Sequence, residues 1–448
     1  MGSRANKLIL IGIVVGAIAG VLCGMIFGTS MSSISFMGDI FKNALKMMIV
    51  PLIITSMISG ITSIGDIRKL GSIGWKTLLY YLTTTFIAVL LGIILVNIIQ
   101  PGKTYSKHNI VKKEQLKNPD KVEQNKDQSV SGVLVQVVTG IFSPNIFKSM
   151  VELDVLPIIF FSLLFGIVLT IIGSRAGPVI HLFDILNEGI MKMIGIILWI
   201  SPLGVFALTA HQFGKDGGLF DVYNSASSYV TATGVQELSF WQAFSEAGFI
   251  KQFAQVAAYA MTVIIGLLIH GVIILPLILS IVARRNPWAF VKGMGTALST
   301  AFSTSSSSGT LPVTLECIED NNKISNETAS FVLPLGATIN MDGTALYEAI
   351  AVMFIAQALN IELTIAQQFI IFLTATLAAV GAAGIPSAGL ITMILVLKAV
   401  NLPTEGIALI IAIDWFLDRC RTTVNVWGDA VGAAVIDSTL EKKELPAT

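Results

Sequence analysis

The chain has 448 residues, 54% of them hydrophobic and only 12% charged, with lysine plus arginine matched to aspartate plus glutamate at 28 each. Soluble domains carry about 25% charged residues, so the solvent this composition fits is lipid. The even balance leaves no basic excess for a nucleic-acid partner. Cys23, Cys317 and Cys420 are far apart and the four histidines are scattered, which implies neither a disulfide framework nor a zinc site.

In chain order, the first apolar stretch runs from Leu8 to Phe27, enough to cross roughly 30 Å of hydrocarbon. It exceeds a signal-peptide core and lacks a small-residue cleavage site, so it reads as a retained span. Further apolar segments at 44–64, 75–100, 132–174, 179–208 and 250–283 bring the expected conventional spans to six. The fourth should break at "FSPN" (142–145), where Ser-Pro-Asn cannot continue a helix. Polar stretches at 101–131 and 211–247 separate the spans. Arg4, Lys7, Arg68, Lys69, Lys76, Arg175 and "ARRNPWAFVKG" (283–293) all fall on one side, which becomes the cytoplasm, with the N-terminus inside. The lysine-rich 101–131 insert falls outside, against the rule, but it is long and carries interspersed acids.

After residue 287 the pattern changes. "MGTALSTAFSTSSSSGTLPVTLECIED" is too small and polar for an ordinary span. "FVLPLGATINMDGTALYEAIAVMFIAQAL" is apolar but interrupted at "NMDG", and "QQFIIFLTATLAAVGAAGIPSAGLITMILVLKAV" breaks at its centre. A hairpin followed by a helix, used twice, is the pattern of inverted-repeat transporters, whose site lies where the breaks meet. Exposed backbone at such depth is tolerated only against protein or water.

The last apolar stretch contains "IAIDWFLDRCRTTVNVWGD" (411–429). On a helix, Asp414, Asp418, Arg421, Asn425 and Asp429 fall within an arc of roughly 80°. Thr422 lies at its edge and Arg419 further round. Each charge costs at least ~2.5–3.5 kcal/mol at mid-bilayer, so the stripe should face an interior site. A structural salt-bridge stripe is the plainer alternative, above all for Arg419, which could neutralise Asp418 or Asp414. If the stripe binds a solute, Arg421 offers paired donors for a carboxylate and Asp418 can take an ammonium. Together they fit a zwitterion with an extra acid group, such as aspartate or glutamate. Asp429 and Asn425 are hard oxygen donors suited to a small hard cation.

At the "NMDG" break, carbonyls freed around Asn340, Met341 and Asp342 can coordinate an alkali cation, with Asp342 adding charge. Only oxygen ligands are on offer, which disfavours a soft metal. "STSSSSG" (303–309) gathers hydroxyls and unpaired amides at a hairpin tip and can receive a carboxylate. A serine nucleophile there would lack a neighbouring histidine or lysine. Glu348, in the resumed helix, is either a proton carrier or a hydrogen-bonded structural acid.

"TSSSSGTLPVT", "GATINMDGTALYEA", "AAGIPSAGL" and "DWFLDRCRTTVNVWGD", in that order, resemble the glutamate transporter family, the dicarboxylate/amino acid:cation symporters. "YYLTTT" and "PLIITSMISGI" extend the resemblance over essentially the whole chain. An archaeal member of that family is itself an inverted-repeat transporter.

The resemblance implies an all-α integral membrane fold with eight transmembrane helices and two re-entrant helical hairpins, assembled as a homotrimer and moving as an elevator. Its divisions would be scaffold spans 1–2 (1–74), transport span 3 (75–100), an extracellular loop (101–131) and scaffold spans 4–5 (132–212). A second extracellular loop (213–248), the rest of the transport domain (249–440) and a cytoplasmic tail (441–448) would follow. It also implies a multi-pass protein of the cell membrane with both termini cytoplasmic. Substrate contacts carried over by matched position are Ser306, Ser307, Thr344, Gly389, Asp418, Arg421, Thr422 and Asn425. One sodium would sit at Gly336, Asn340, Asn425 and Asp429. A second would use Thr338 with carbonyls of Ala379, Val380 and Ala382, and a third Tyr81, Thr84, Thr85, Asn340 and Asp342. No organic cofactor is implied.

Arg421 resembles the acidic-substrate members, where neutral amino-acid exchangers have a small residue, and Asp418 resembles the amino-acid carriers rather than the C4-dicarboxylate branch. Ser305 with Arg419 resembles the animal excitatory carriers, as does Glu348, tied there to proton symport and potassium counter-transport. The long outer insert of animal members is missing from span four, which points to a prokaryotic source. The expected function is sodium-coupled symport of L-glutamate or L-aspartate, not enzymatic. The rivals are an anion channel and an intramembrane aspartyl protease using Asp342 and Asp418; arginines beside Asp418 oppose the shared proton that a protease needs.

Overall fold

The structure, a computed structural model, describes residues 3–63, 67–103, 139, 142–152, 155–214, 249–380, 384 and 386–444. Most of the 101–131 and 211–247 polar stretches, Ala382 and the last residues of the chain lie outside these. Among the described residues there is helix and no strand.

The N-terminal part is built of α1 (Ser3–Phe27), α2 (Ser35–Ser63), α3 (Ile67–Ile99), the short α4 (Ile146–Glu152), α5 (Val155–Ile172), α6 (Gly177–Trp199) and α7 (Ser201–Gly214). The break expected at 142–145 is present. Asn145 starts α4 by accepting the amides of Phe147 and Lys148 at 3.0 and 3.2 Å. The span expected over 179–208 is divided at Ile200 into α6 and α7. The cause is Pro202, which donates no N–H and crowds the carbonyl one turn back. That carbonyl, on Leu198, takes the Ser201 hydroxyl instead, at 2.5 Å.

α7 packs along α1, and α2 packs on α5, α6 and α7. The α1–α7 contact is a close one because α1 carries Gly12, Gly16, Gly20 and Gly24 on one face. A Cβ at the last three would strike the carbonyls of Pro202, Phe206 and Ala210. Small residues at four-residue spacing let helices approach where lipid supplies no hydrophobic drive between them. The other faces of these helices expose Ile11, Val15, Ile18, Ile171, Ile185 and Ile196, as a lipid-facing surface requires.

The C-terminal part runs through α8 (Phe249–Leu268), a π-wound turn (Ile269–Ile274), α9 (Leu275–Ile281) and α10 (Pro287–Gly293). α11 (Gly295–Thr304) and α12 (Ser307–Glu316) form the first hairpin, with Ser305 left-handed at its tip (φ 51°). α13 (Asn326–Ile339) and α14 (Asp342–Ala358) are the two halves of the interrupted helix. α15 (Ile365–Val380) and α16 (Ala388–Ala399) form the second hairpin, and α17 (Ile411–Glu444) carries the polar stripe.

α14 is the centre of this half. Every residue but Gln357 is buried, and its neighbours are α3, α8, α15, α16 and α17. A helix apolar all round must be enclosed by other helices. Five apolar stretches among the described residues are long enough to cross a membrane: 11–62, 73–99, 157–199, 253–281 and 326–358.

Replacing Gly16 with valine should press a side chain onto the Pro202 carbonyl. We expect a loss of about 1–3 kcal/mol, read as a lowered unfolding midpoint in detergent.

Candidate functional site

The break between α13 and α14 is shaped by Asn340 and Met341, whose ψ angles of 86° and 50° leave the helical range. It lies directly against α17. A Cβ on Gly343 would meet the backbone of Arg421, so glycine is what permits the approach. Asn425 then caps the resumed helix, its Oδ1 accepting the Gly343 amide at 2.8 Å. Its Nδ2 donates to Thr344 Oγ1 at 3.2 Å.

Arg421 is fully buried. Its Nη2 donates to Asp418 Oδ1 at 2.6 Å, and its Nη1 lies 3.1 Å from Asp414 Oδ1. The guanidinium stacks 3.7 Å above the Tyr347 ring, whose hydroxyl donates to the same Asp414 oxygen at 2.7 Å. Nε has no hydrogen-bond acceptor, and Nη1 has none beyond the ion pair with Asp414. A Cβ on Gly389 would come within 3.0 Å of Nη1, so a glycine there leaves the guanidinium room. Arg421 and Asp418, expected to meet opposite ends of a zwitterion, hold each other here. Asp418 also accepts the Ser387 amide through Oδ2 at 2.9 Å, and Thr422 donates to the Asp418 carbonyl at 2.8 Å. Asp414, expected on the polar stripe, and Tyr347, to which the sequence reading gave no role, are therefore part of this cluster.

The two hairpin tips touch. Ser306 donates through Oγ to the Gly384 carbonyl at 2.6 Å, and the Ser308 amide reaches the same oxygen at 3.2 Å. Ser306 Oγ also accepts the Gly309 amide at 3.0 Å. The tip amides are thus not all unpaired as expected; the Ser308 and Gly309 amides are taken by the second hairpin and by an N-cap. A cavity of about 970 Å³ opens beside the tips, between Ile9, Ile13, Met191 and Lys192 on one wall and Ser306, Ser308, Ser387, Asp418 and Arg419 on the other. Of the expected substrate contacts, Ser306 and Asp418 line it. Ser307, Thr344, Gly389, Arg421, Thr422 and Asn425 are buried or packed behind that wall. Arg419, one candidate to neutralise the acids, turns away and caps α11, donating to the Phe302 and Ser303 carbonyls at 2.8 and 3.2 Å.

A second cluster lies on the other side of the break. Asp342 Oδ1 accepts Thr85 at 2.7 Å and Thr84 at 3.3 Å, and Asn340 donates to Asp429 Oδ1 at 2.9 Å. Thr84 also lies 3.4 Å from Asn340 Oδ1. Tyr81 donates to the Val332 carbonyl at 2.8 Å, and a Cβ on Gly336 would collide with Asp429 and the Tyr81 hydroxyl. Tyr81, Thr84, Thr85, Gly336, Asn340, Asp342 and Asp429 are thus brought together, with Asn425 on the stripe between the two clusters. Their donors are carboxylate, amide, hydroxyl and carbonyl oxygens, which suit hard cations. No lysine or arginine among the described residues pairs with Asp342 or Asp429. The remaining expected cation ligands are not joined in this way: Thr338 donates to its own helix at Leu335, and Ala379 is buried in α15. For Val380 only the backbone is described, as the end of α15.

The sequence reading missed His270. Its Nε2 lies 3.0 Å from Asp342 Oδ2, and both side chains are fully buried. A lone polar residue in the apolar run "IGLLIHGVIIL" was the available signal. Glu348 is also fully buried, accepts the Thr392 hydroxyl through Oε1 and has no partner at Oε2. Asp342 and Asp418 belong to separate networks, one with threonines and a histidine, the other with Arg421. That separation removes the shared-proton pair a protease would need.

Residues 7–439 match the sodium:dicarboxylate symporter family. Human excitatory amino acid transporter 3 is 40% identical over 458 residues, covering 92% of this chain and 80% of that one. Human excitatory amino acid transporter 2 is also 40% identical, covering 92% of this chain and 74% of its own length. Excitatory amino acid transporter 1 of Ambystoma tigrinum is 37% identical, covering 92% and 78%. With that family match over residues 7–439 and relatives of 37–40% identity, the chain, helical in its described residues with a broken helix and two polar clusters gathered around it, belongs to the sodium:dicarboxylate symporter family and is a membrane transporter rather than an enzyme.

Proposed function

We propose that the chain carries an acidic amino acid, L-glutamate or L-aspartate, across the cell membrane in symport with sodium ions. The observation that carries this is the Arg421 cluster. One guanidinium between Asp414 and Asp418 leaves a single negative charge in excess, complementary to an ammonium. At the same time Nε lacks an acceptor and Nη1 has only its ion pair with Asp414, so a ligand carboxylate could meet both. Leaving buried donors unmet costs about 1–3 kcal/mol each, so a ligand acid group gains from meeting them. The amino acid would exchange the Asp418–Arg421 bond for two of its own, carboxylate to Arg421 and ammonium to Asp418. Ser306, Ser307, Thr344, Gly389, Thr422 and Asn425 would complete its site. A dicarboxylate lacks the ammonium and a neutral amino acid lacks the second acid, so neither uses both ends.

Sodium follows from the second cluster. Two buried carboxylates, Asp342 and Asp429, lie in one network, Asn340 bonding Asp429 and Thr84 reaching both Asn340 and Asp342, with no lysine or arginine among the described residues paired to either. Buried charge without a partner is costly, and a bound monovalent cation removes that cost. The sodium ions are cargo, held in this account by Tyr81, Thr84, Thr85, Gly336, Asn340, Asn425, Asp342 and Asp429, with Thr338 and the second hairpin forming another position. Both clusters share Asn425 and the same helix break, so filling one stabilises the geometry of the other.

α1, α2, α5, α6 and α7 pack mainly on one another, as do α3, α8 and α11–α17. That division supports a static scaffold and a transport domain that slides past it as an elevator; in this account the scaffold assembles as a homotrimer and both termini are cytoplasmic. The cavity at the junction of the two groups, reached by the first hairpin tip, gives the site a path to one side. Glu348, with its free Oε2, would carry the proton and let potassium return.

Proteoliposome uptake of labelled glutamate and aspartate should require an inward sodium gradient, and equal uptake from choline medium would remove the coupling. Arg421→Cys should lower apparent affinity for both acids by about 10–100-fold, the worth of one or two charge-assisted bonds. Neutral amino acids should then compete; retained acid preference would contradict the assignment. For Glu348→Gln, exchange should persist while uptake loses its dependence on pH. A wild-type pH profile would take the proton away from this residue.

A further inference from the structure

Beyond the ligands already named, the cation cluster has a neighbour that comes from an otherwise apolar helix. The π-wound turn Ile269–Ile274 interrupts the run from α8 to α9 and places His270 inside the protein. Such turns are rare and frequently lie at functional sites. The turn is fixed to α17, because the Gly271 carbonyl accepts Trp427 Nε1 at 2.9 Å. His270 Nε2 then stands 3.0 Å from Asp342 Oδ2, while Oδ1 of the same carboxylate accepts Thr85 and Thr84. Asp342 Oδ2 also lies 3.4 Å from where a Cβ on Gly428 would be, so that side of the carboxylate is closed by α17. The other ring nitrogen, Nδ1, is buried with no partner. The histidine's one polar contact in this structure is thus the Asp342 carboxylate.

We infer that His270 is a positioning residue for sodium: its Nε2–H ties down Asp342 Oδ2 and so keeps Oδ1 turned toward Thr84 and Thr85. This rests on the sodium reading of that cluster. Without the tie, the carboxylate can rotate about χ2 and the cation loses a ligand held in place. Groups that orient a metal ligand from behind typically contribute 10–100-fold in affinity. The ring need not touch the ion, and the amino acid, which meets the chain beyond Asn425, should not sense it once sodium is saturating.

The test is sodium-dependent thermal stabilisation of the purified full-length protein in detergent, titrated with sodium chloride at constant ionic strength and without amino acid. His270→Leu and His270→Phe should each raise the half-saturating sodium concentration by at least about tenfold. His270→Gln, which keeps an N–H near the Nε2 position, should stay within about threefold of wild type. Amino-acid affinity at saturating sodium should be unchanged in all three. A wild-type sodium titration for His270→Leu or His270→Phe would overturn the inference, as would a His270→Gln protein no better than those two. Failure of both apolar variants to fold, with normal sodium response in His270→Gln, would assign the residue to stability and likewise overturn it. Asp342→Asn separates the two levels: loss of its sodium response with normal His270 variants removes only the positioning role. A wild-type response in Asp342→Asn removes the sodium reading itself.

Discussion

Buried charge that the protein does not fully balance governs the C-terminal half of this chain. Asp414, Asp418, Asp342 and Asp429 are all buried, and Arg421 and His270 are the basic groups beside them. Moving charges out of water costs several kcal/mol each, even after relaxation. A fold that retains an imbalance of this kind in an apolar setting has a place for mobile charge. On the proposed reading an amino-acid ammonium would enter one cluster and alkali cations the other, each completing what the side chains leave open.

The geometry that gathers these charges depends on interrupted backbone. The α13–α14 break would be intolerable against lipid, where freed carbonyls and amides have no partner. Here the break faces α17, with Asn425 on the Gly343 amide and Asn340 on Asp429. The hairpin tips solve the same problem by pairing with each other through Gly384. The helix break and both hairpin tips are thus joined to the polar stripe or to one another. On the proposed reading, a solute that loosens one of these contacts would be felt by the rest, a physical basis for coupling an amino acid to its ions.

Much of this was legible in the sequence. The three-to-four spacing of Asp414, Asp418, Arg421, Asn425 and Asp429 set them on one face of a helix, and "NMDG" announced the break. "FSPN" marked the interruption before α4. What the residues alone could not give were contacts closed over long stretches of chain. Tyr347 meets Asp414 across 67 residues, Ser306 meets Gly384 across 78 and His270 meets Asp342 across 72. No local periodicity encodes such pairs. The split of the 179–208 span at Ile200 was missed for a different reason: its hydropathy is continuous, and only Pro202 signals the stop. Arg419 was ambiguous because a helical wheel gives its angle but not the free carbonyls of α11 that it caps.

The central claim is that sodium and an acidic amino acid complete adjacent, mutually dependent charge clusters. The most direct measurement is calorimetric binding of L-aspartate and L-glutamate to the purified protein at several sodium concentrations, with choline keeping ionic strength constant. The account predicts that affinity for at least one of the two rises steeply with sodium, that binding vanishes in choline, and that Asp429→Asn flattens the dependence. Binding of equal strength in choline and in sodium would contradict it.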